Sequence, residues 1–268
     1  MAAQPGQPRH DGHGREVQVG PLPGPVLQQP VDRIPVDVHG PILAVASLGY
    51  NAWIQALIGA HLAPSPARSG LMRIAVIGTG NIGGTLGRAL AGAGHDVTFG
   101  SRSPGSDEVS QGTAARVADV GTALDGAEVI ALALPGPAVD GLLAEHAGAL
   151  DGRLVLDCAN RIGGPGPANS HDAITAAAPE VRYARVFNSL GWENLADPQF
   201  GDERADMFFS APETDQATVA QLIEAVGLRP VYLGDGQHEV ADGVLRLWFA
   251  LVMGRGHGRH LAFRTLER

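Results

Sequence analysis

The chain has 268 residues, a net charge of −9 and 44% hydrophobic residues with few aromatic ones, which is typical of an ordinary α/β protein. The negative charge disfavours a nucleic-acid partner, because phosphate binding needs clustered cations. All 19 basic residues are arginine, so the sequence excludes mechanisms that need a lysine base, a lysine Schiff base or a phosphate-binding lysine.

The first 71 residues differ in composition from the rest of the chain. They hold 10 of the 19 prolines and show no sustained helical or strand period over most of their length. We therefore predict that residues 1–71 form a disordered N-terminal extension. The apolar run at residues 41–63 is long enough for a membrane span. Because Asn51, Gln55 and His61 interrupt this run, we expect a short helix and no membrane partner.

Two interpretations of residues 1–71 remain open. The segment is either a targeting or partner-binding arm, or an extension upstream of a normal translation start at Met72. The methionine directly before the first predicted strand favours the second interpretation. The chain has one cysteine and shows no secretory leader, so we expect a cytoplasmic protein without an intramolecular disulfide bond.

Regular periodicity begins at Met72. Residues 73–78 are a continuous apolar run, as in a strand buried on both faces of a parallel sheet, and residues 83–94 follow with helix spacing and a glycine stop. Further strands are predicted at residues 95–101, 115–120, 127–135, 152–160, 181–189, 205–211 and 228–234. Strands that alternate with helices predict an α/β fold, namely a Rossmann-like, doubly wound and mainly parallel sheet.

The sequence ends with a predicted helix. Residues 238–268 lack proline, and their apolar side chains recur at helix spacing. These side chains are Val240, Val244, Leu247, Trp248 and Leu251. We expect this C-terminal helix to pack either against the sheet or against a second subunit. If it packs against a second subunit, the protein is a homodimer. Residues 72–268 are thus predicted to form one nucleotide-binding domain that includes the helix.

Gly78, Gly80 and Gly83 form the pattern G-x-G-x-x-G between the first predicted strand and helix. In dinucleotide-binding proteins the first glycine allows a tight turn and the second lets the backbone approach a pyrophosphate. The third lets the helix pack closely on the strand. The order of strand, motif, helix and second strand predicts dinucleotide binding, and a purely structural glycine turn is the alternative.

The pyrophosphate is expected at the N-terminus of the helix that follows this motif. Backbone amides near Thr79, Asn81 and Ile82 lack helical partners there, and the helix dipole is positive. Both features attract phosphate.

The stretch GSRS at the end of the second predicted strand indicates which dinucleotide binds. Proteins that bind NAD usually have Asp or Glu here, and such a carboxylate repels a 2′-phosphate. Ser101 and Ser103 instead offer hydroxyl groups, and Arg102 offers a planar cation for phosphate. We therefore predict NADP(H), with a solvated arginine of no specific role as the alternative. Asp107 and Glu108 lie just downstream and weaken this preference.

Four stretches together resemble the NADPH-dependent reductases of the deazaflavin coenzyme F-420. They are residues 72–104, ALALP at residues 131–135, VFNSLGWENLADP at residues 186–198 and GRHLAFRTLER at residues 258–268. That family shares its nucleotide-binding region with pyrroline-5-carboxylate reductases. The resemblance covers residues 72–268 and none of the residues before them, and the stretches outside the glycine motif give it its specificity.

The resemblance implies a role for each matching residue. It places the pyrophosphate at Thr79, Asn81 and Ile82, the 2′-phosphate at Ser101 and Arg102, and the nicotinamide beside Leu134, Pro135, Ala159 and Asn160. Binding at the carboxyl ends of strands is also what an open α/β sheet predicts independently. Some relatives have a basic residue shortly after the arginine, where this chain has GSDE at residues 105–108. We expect a lower affinity for the 2′-phosphate than is usual in the family.

Other reactive side chains are assigned no chemistry. His257 and His260 are three residues apart, but no carboxylate or cysteine supports them, so no metal site is predicted. Cys158 is expected to be a buried strand residue. Trp192 is either a core residue or a wall of the acceptor pocket. Glu193 is expected only to cap or position a loop.

No catalytic residue is identified, and the predicted activity explains why. Hydride transfer between two stacked rings depends on their relative orientation and on the exclusion of water more than on an acid or a base. We therefore predict hydride transfer between NADPH and coenzyme F-420 as co-substrate, with the acceptor partly walled by Trp248 and Met253. The alternatives are an NADPH reductase of another small acceptor (an imine, ketone, flavin or ferric complex) and a non-catalytic NADPH sensor. Tyr183 and Tyr232 are potential proton donors without an identified partner.

Deleting residues 1–71 should leave the thermal stability and the affinity for NADPH essentially unchanged, because the segment lacks a periodic apolar face that could dock onto the domain. Thermal unfolding and NADPH titration of residues 72–268 beside the full chain measure both quantities. A large loss of melting temperature would contradict the prediction.

Overall fold

The structure is a computed structural model that describes residues 70–105, 107–164 and 166–268. The predictions of a disordered extension and of a short apolar helix at residues 41–63 fall outside the described residues. Within the described part of the chain, none of the helices is both long enough and apolar enough to cross a membrane.

Six strands form the main sheet. They are β1 (Arg73–Ile77), β2 (Asp96–Ser101), β3 (Arg116–Asp119), β4 (Val129–Leu132), β5 (Leu154–Asp157) and β6 (Arg182–Arg185). The order is β3-β2-β1-β4-β5-β6, and all neighbouring pairs are parallel. The predicted Rossmann-like, doubly wound sheet is therefore confirmed. The strand order reverses between β1 and β4, which is where ligands bind in sheets of this kind.

Seven α-helices accompany the strands in the described residues. They are α1 (Asn81–Gly92), α2 (Val120–Leu124), α3 (Ala138–Leu150), α4 (His171–Ala177), α5 (Trp192–Ala196), α6 (Gln216–Ala225) and α7 (His238–Arg255). Two further strand pairs follow β6. The short strands β7 (Gln199–Phe200) and β8 (Glu203–Arg204) are antiparallel, and β9 (Asp206–Phe209) pairs in parallel with β10 (Arg229–Tyr232).

The strands predicted at residues 205–211 and 228–234 do not extend the main sheet. They are β9 and β10, which form a separate two-stranded sheet. The reason lies at the end of β6, where the backbones of Arg185 and Ser210 exchange two hydrogen bonds in an antiparallel bridge. The chain leaving β9 thus occupies the edge that a further parallel strand would need.

The two faces of the main sheet are covered by different helices. In β1, Ile74 and Val76 face one core with α1, α6 and α7, whereas Ala75 and Ile77 face the other core with α3. Strands covered on both faces are continuously apolar rather than alternating. This double burial explains why residues 73–78 could be identified as a central strand from the sequence.

The C-terminal helix α7 is shorter than predicted and packs through a different face. Gly256 adopts the left-handed conformation with φ of 73° and ends the helix, so the rest of the chain to residue 268 is neither helix nor strand. Val240 and Leu247 of the predicted apolar stripe are 50% and 51% exposed. The buried face consists of Ala241, Asp242, Leu245, Trp248 and Val252.

A buried carboxylate accounts for this different packing face. Asp242 of α7 is paired with the buried guanidinium of Arg185 at the end of β6. An apolar pattern cannot reveal such a pair, because it ranks Asp242 as a surface residue. The ion pair directs one turn of α7 toward the sheet and leaves part of the apolar stripe in solvent.

Helix α1 packs unusually close to the end of β1. A Cβ atom added to Gly83 would lie 2.0 Å from the carbonyl oxygen of Gly78, which is backbone and cannot rotate away. By contrast, a Cβ atom added to Gly92 at the other end of α1 would meet nothing within 4 Å. Any side chain at Gly83 therefore forces α1 away from β1.

Substituting Gly83→Ala should lower the free energy of unfolding by about 1–3 kcal/mol through overpacking, despite the better helix propensity of alanine. The matched control Gly92→Ala should leave the free energy of unfolding unchanged or slightly higher. Denaturant unfolding of the two variants beside the wild type measures the difference. Equal stability of both variants would contradict the close packing of α1 on β1.

Candidate functional site

The predicted phosphate-binding turn lies between β1 and α1. Gly78 follows β1 with a φ of 113°, a conformation that side chains disfavour. Its amide donates to the carbonyl of Gly100 at 3.1 Å, and an added Cβ atom would lie 2.4 Å from the carbonyl oxygen of Ala133. This glycine thus lets the backbone pass between the ends of two neighbouring strands.

The N-terminus of α1 has no capping partner among the described side chains and is suited to an anion. Gly80 is the N-cap, and its carbonyl accepts the first helical hydrogen bond from the amide of Gly84 at 2.7 Å. The amides of Asn81, Ile82 and Gly83 precede that bond, so they have no acceptor within the helix. No acidic residue occupies the first turn of α1. The positive end of the helix dipole therefore faces the turn without a competing carboxylate.

A cavity of about 580 Å³ opens beside this turn, at the carboxyl ends of β1, β2 and β4. It brings together eight of the predicted site residues, namely Gly78, Thr79, Gly80, Ser101, Arg102, Ser103, Leu134 and Pro135. Glu145 and His146 of α3 also line it; neither was predicted, because nothing in their spacing points to a ligand. We call this space the nucleotide cavity.

The loop after β2 presents its polar groups to the nucleotide cavity. The hydroxyl oxygen of Ser101 accepts a hydrogen bond from the amide of Ser103 at 3.2 Å. The guanidinium of Arg102 is exposed, and no carboxylate among the described side chains pairs with it. Within the described part of the chain, the donors of Arg102 are thus available to a ligand.

The neighbouring carboxylate at the end of β3 is already engaged. Asp119 pairs with Ser101 in the strand register, and its carboxylate accepts hydrogen bonds from the hydroxyl and the amide of Thr122 at 2.6 and 2.9 Å. These bonds hold the pKa of Asp119 below its usual range and cap α2. The carboxylate is therefore fixed on its own helix rather than directed at a ribose.

A second cavity, of about 360 Å³, adjoins the first. We call it the acceptor cavity; it shares four lining residues with the nucleotide cavity, Gly80, Ala133, Leu134 and Pro135. Asn81, Ile82 and Asn160 also line it, and Pro135 pairs with Asn160 in a parallel bridge. Ala159 lies buried behind Asn160 and lines neither cavity.

The far wall of the acceptor cavity is aromatic. Trp192 of α5 lies there with Trp248 and Phe249 of α7, whose rings meet edge to face with centroids 5.4 Å apart. Trp192 is thus a wall of the pocket, one of the two roles left open for it. Met253, the other predicted wall residue, is 72% exposed and lies outside the cavity, because it falls on the solvent side of α7.

Arg259 completes this wall from the segment after α7. Its guanidinium lies 5.6 Å from the ring centre of Trp248 and donates two hydrogen bonds to Glu193, at 2.5 and 3.1 Å. These bonds hold the pKa of Glu193 below its usual range. Arg259 could not be identified from the sequence, because its ion pair joins residues 66 positions apart. Glu193 thus positions a neighbouring segment, as expected.

One buried polar side chain on the acceptor cavity has no partner in the described structure. The carboxamide of Asn188 is 1% exposed, and neither its nitrogen nor its oxygen forms a hydrogen bond. The preceding residue, Phe187, has a φ of 56°, which is uncommon for a residue other than glycine. An unpaired buried amide costs about 1–3 kcal/mol. Asn188 is therefore a buried polar group without a partner among the described residues, at the wall of the acceptor cavity.

The candidate proton donors are engaged elsewhere. The hydroxyl of Tyr183 donates to Asp157 at 2.8 Å, and that of Tyr232 donates to the carbonyl of Ala211 at 2.9 Å. Burial raises the pKa of both tyrosines, and neither lines the two cavities. Cys158 does line the acceptor cavity, but burial raises the pKa of its thiol far above its ordinary value.

The two histidines considered as metal ligands do not share a helix face. His257 and His260 both follow the end of α7 in a segment without helix or strand. Over the described residues, no group of three or more His, Cys, Asp or Glu side chains is arranged to hold a metal ion.

Comparisons with known proteins agree with this geometry. Residues 73–161 match a family model described as NADP oxidoreductase, coenzyme F420-dependent. No curated protein sequence matches the chain. A solved structure of a candidate F420-dependent NADP reductase from Arthrobacter sp. FB24 is 25% identical, with a TM-score of 0.61. The match covers 73% of this chain and 100% of that one.

Two further solved structures share the fold. A hypothetical protein from Sinorhizobium meliloti is 28% identical with a TM-score of 0.54, and the match covers 62% of this chain and 86% of that one. A reductive aminase from Aspergillus terreus, solved with NADPH and ethyl levulinate, is 20% identical with a TM-score of 0.54. Here the match covers 69% of this chain and 61% of that one, and it shows the fold alone.

The family match contains the glycine turn, the loop after β2 and the strand ends at Pro135 and Asn160. It confirms the prediction of an NADP-dependent oxidoreductase. The residues that form the far wall of the acceptor cavity lie outside the matched segment, at residues 188–259. Over residues 73–161 the chain matches the coenzyme F420-dependent NADP oxidoreductases, and the resemblance predicted from its sequence is thereby confirmed.

Proposed function

We propose that the protein transfers a hydride between NADPH and the deazaflavin coenzyme F-420. The observation that carries this proposal is the junction of two cavities along Gly80 and the backbone of residues 133–135. One cavity has a loop suited to a 2′-phosphate, and the other has an aromatic wall. A nicotinamide ring in the first cavity and a deazaflavin ring in the second would lie against each other at this junction.

The residues of the nucleotide cavity fit NADP(H). The free amides at the start of α1 suit a pyrophosphate, and Ser101, Arg102 and Ser103 offer donors without a competing carboxylate at the strand end. The nicotinamide would then lie beside Leu134, Pro135 and Asn160, where the two cavities join. When bound, NADPH supplies a hydride from this ring.

The acceptor cavity suits a flat heterocycle. The rings of Trp192, Trp248 and Phe249 provide a large apolar surface, and Asn188 lies beside them with a buried carboxamide that has no partner among the described residues. Reduction of a deazaflavin takes up the hydride and one proton, and solvent can supply the proton. Orientation of two rings can contribute about 7–11 kcal/mol toward the barrier without side-chain chemistry.

The side chains of this cavity disfavour an imine or ketone acceptor. Reduction of such a group ordinarily needs a proton donor near the acceptor atom. No carboxylate, histidine or tyrosine lines the acceptor cavity among the described residues, and the thiol of Cys158 has a raised pKa. We therefore place the deazaflavin first among the acceptors.

Arg102→Ala should weaken NADPH binding by about 1.5–3 kcal/mol, the range for charge-assisted hydrogen bonds, and should leave NADH binding nearly unchanged. Ser101→Asp should reverse the preference, because its carboxylate repels the 2′-phosphate and can accept bonds from a ribose. Arg116→Ala is the matched control, since Arg116 is exposed on neighbouring β3 and pairs with Asp96. Fluorescence titration of the wild type and the three variants with NADPH and with NADH measures these affinities. A wild-type protein that binds NADH as tightly as NADPH would refute the role of this loop.

Anaerobic mixing of the protein with NADPH and F-420 should give a fall in NADPH absorbance. Phe249→Ala should raise the KM for F-420 and leave the affinity for NADPH unchanged, whereas Val240→Ala on the exposed side of the same helix should change neither. Tyr183→Phe and Tyr232→Phe should retain turnover, because neither hydroxyl faces a cavity.

Three outcomes would point to another function. Turnover with an imine or ketone panel but not with F-420 would replace the proposed acceptor. Loss of activity in either tyrosine variant would show that a side-chain proton donor is required. Tight NADPH binding without turnover on any acceptor would favour a sensor.

A further inference from the structure

A fully buried arginine, Arg185, contacts Asn160 in the wall of the acceptor cavity. Arg185 is the last residue of β6, and its side chain has no exposed surface. One Nη atom donates to the carbonyl oxygens of Asp157 and Ala159, at 3.0 and 2.5 Å. Its Nε atom donates to the carboxylate of Asp242 at 2.8 Å. The guanidinium is thus surrounded by acceptors on every side.

The charge of this arginine is balanced by two buried carboxylates. Asp242 of α7 lies 2.8 Å from an Nη atom of Arg185, and Asp157 at the end of β5 lies 3.6 Å away. Asp242 also accepts a hydrogen bond from the side chain of Asn169. Burying a guanidinium is tolerated only when such partners satisfy it. Neither carboxylate lines the acceptor cavity.

The second Nη atom of Arg185 donates to the side-chain oxygen of Asn160 at 2.6 Å. The side-chain nitrogen of Asn160 donates to the backbone carbonyl of Asn188 at 2.9 Å. A carboxamide held at both its oxygen and its nitrogen cannot flip or rotate. Asn160 is therefore fixed in one orientation at the place where the nicotinamide is expected.

We propose that Arg185, anchored by Asp242, is a positioning residue that holds Asn160 against the nicotinamide half of the dinucleotide. The proposal rests on the nucleotide site of the proposed function. The arginine acts through Asn160 and does not itself touch the nucleotide. Because Asp242 belongs to α7, the same interaction ties the position of Asn160 to the helix that carries Trp248 and Phe249 of the acceptor wall.

A positioning role affects one half of the dinucleotide only. NADPH contains the nicotinamide, whereas adenosine 2′,5′-bisphosphate contains the 2′-phosphate half without it. The ratio of the two dissociation constants therefore reports on binding of the nicotinamide end. A general loss of stability would weaken both ligands alike and leave this ratio unchanged. Arg185→Met should weaken NADPH about tenfold and leave the bisphosphate within about twofold of the wild type.

A double-mutant cycle tests whether Arg185 acts through Asn160. Asn160→Ala should cause the same selective loss of NADPH affinity, and adding Arg185→Met to it should change the ratio little further. Arg182→Met is the matched control, because Arg182 lies on the same strand and pairs with Asp215, away from Asn160. It should lower the melting temperature only. If Arg185→Met does not fold, Asp242→Asn, which removes one anchoring charge, should shift the ratio in the same direction.

An equal loss of affinity for both ligands would overturn the proposal, as would an unchanged ratio in a variant of lowered melting temperature. Additive effects of Arg185→Met and Asn160→Ala on the ratio would also overturn it. A wild-type protein that binds neither ligand would refute the nucleotide site and this proposal together. Because the ratio is an equilibrium measurement without an acceptor, failure to reduce F-420 would refute only the proposed acceptor.

Discussion

The buried guanidinium of Arg185 joins β6 to two parts of the chain that are distant from it in sequence, residues 157–160 and α7. Its partners come from the end of β5, from the loop that follows β5 and from α7. Removing one partner from a buried ion pair typically costs about 3–5 kcal/mol, because the remaining charge is left without compensation. Few alternative placements of α7 can keep Asp242 within reach of Arg185. The acceptor wall on that helix is positioned by the same requirement.

A second constraint acts at the opposite side of the cleft. Gly78 and Gly83 let α1 begin almost in contact with the end of β1, and the carbonyl of Ala133 fills the space beside them. The same short stretch, residues 133–135, lines both cavities. A dinucleotide whose phosphates bind at α1 must therefore cross this stretch for its nicotinamide to reach the acceptor. The glycine turn and the ion pair fix the two sides of one cleft.

Much of this arrangement could be predicted from the sequence, because local patterns determine it. The strands of the main sheet are covered on both faces and therefore appear as short apolar runs, and the glycine turn has a fixed spacing. Eight predicted residues indeed line the nucleotide cavity. Each of these features depends on neighbours within a few positions of the chain.

The features that the sequence analysis missed depend on distant pairs. Arg185 looks like a surface residue until Asp242, 57 positions away, is brought beside it. The same pair turns α7, so that the predicted apolar stripe is partly exposed and Met253 lies outside the pocket. Arg259 joins the acceptor wall through its ion pair with Glu193, 66 positions away, and through its contact with the ring of Trp248. Likewise, β9 and β10 left the main sheet because the chain after β9 pairs with the end of β6.

The two halves of the cleft are encoded in different parts of the chain. The phosphate turn, the loop after β2 and Asn160 lie within residues 73–161, the segment that matches the reductase family. The aromatic wall and Arg259 lie after that segment and are held together by tertiary contacts. The indole nitrogen of Trp248 and the side chain of Asn194 both donate to the carbonyl of Leu261. A fold of this kind can keep its nucleotide half while the other half changes. We therefore infer that acceptor choice depends on residues 188–261, where Asn188 and the aromatic rings line the same cavity.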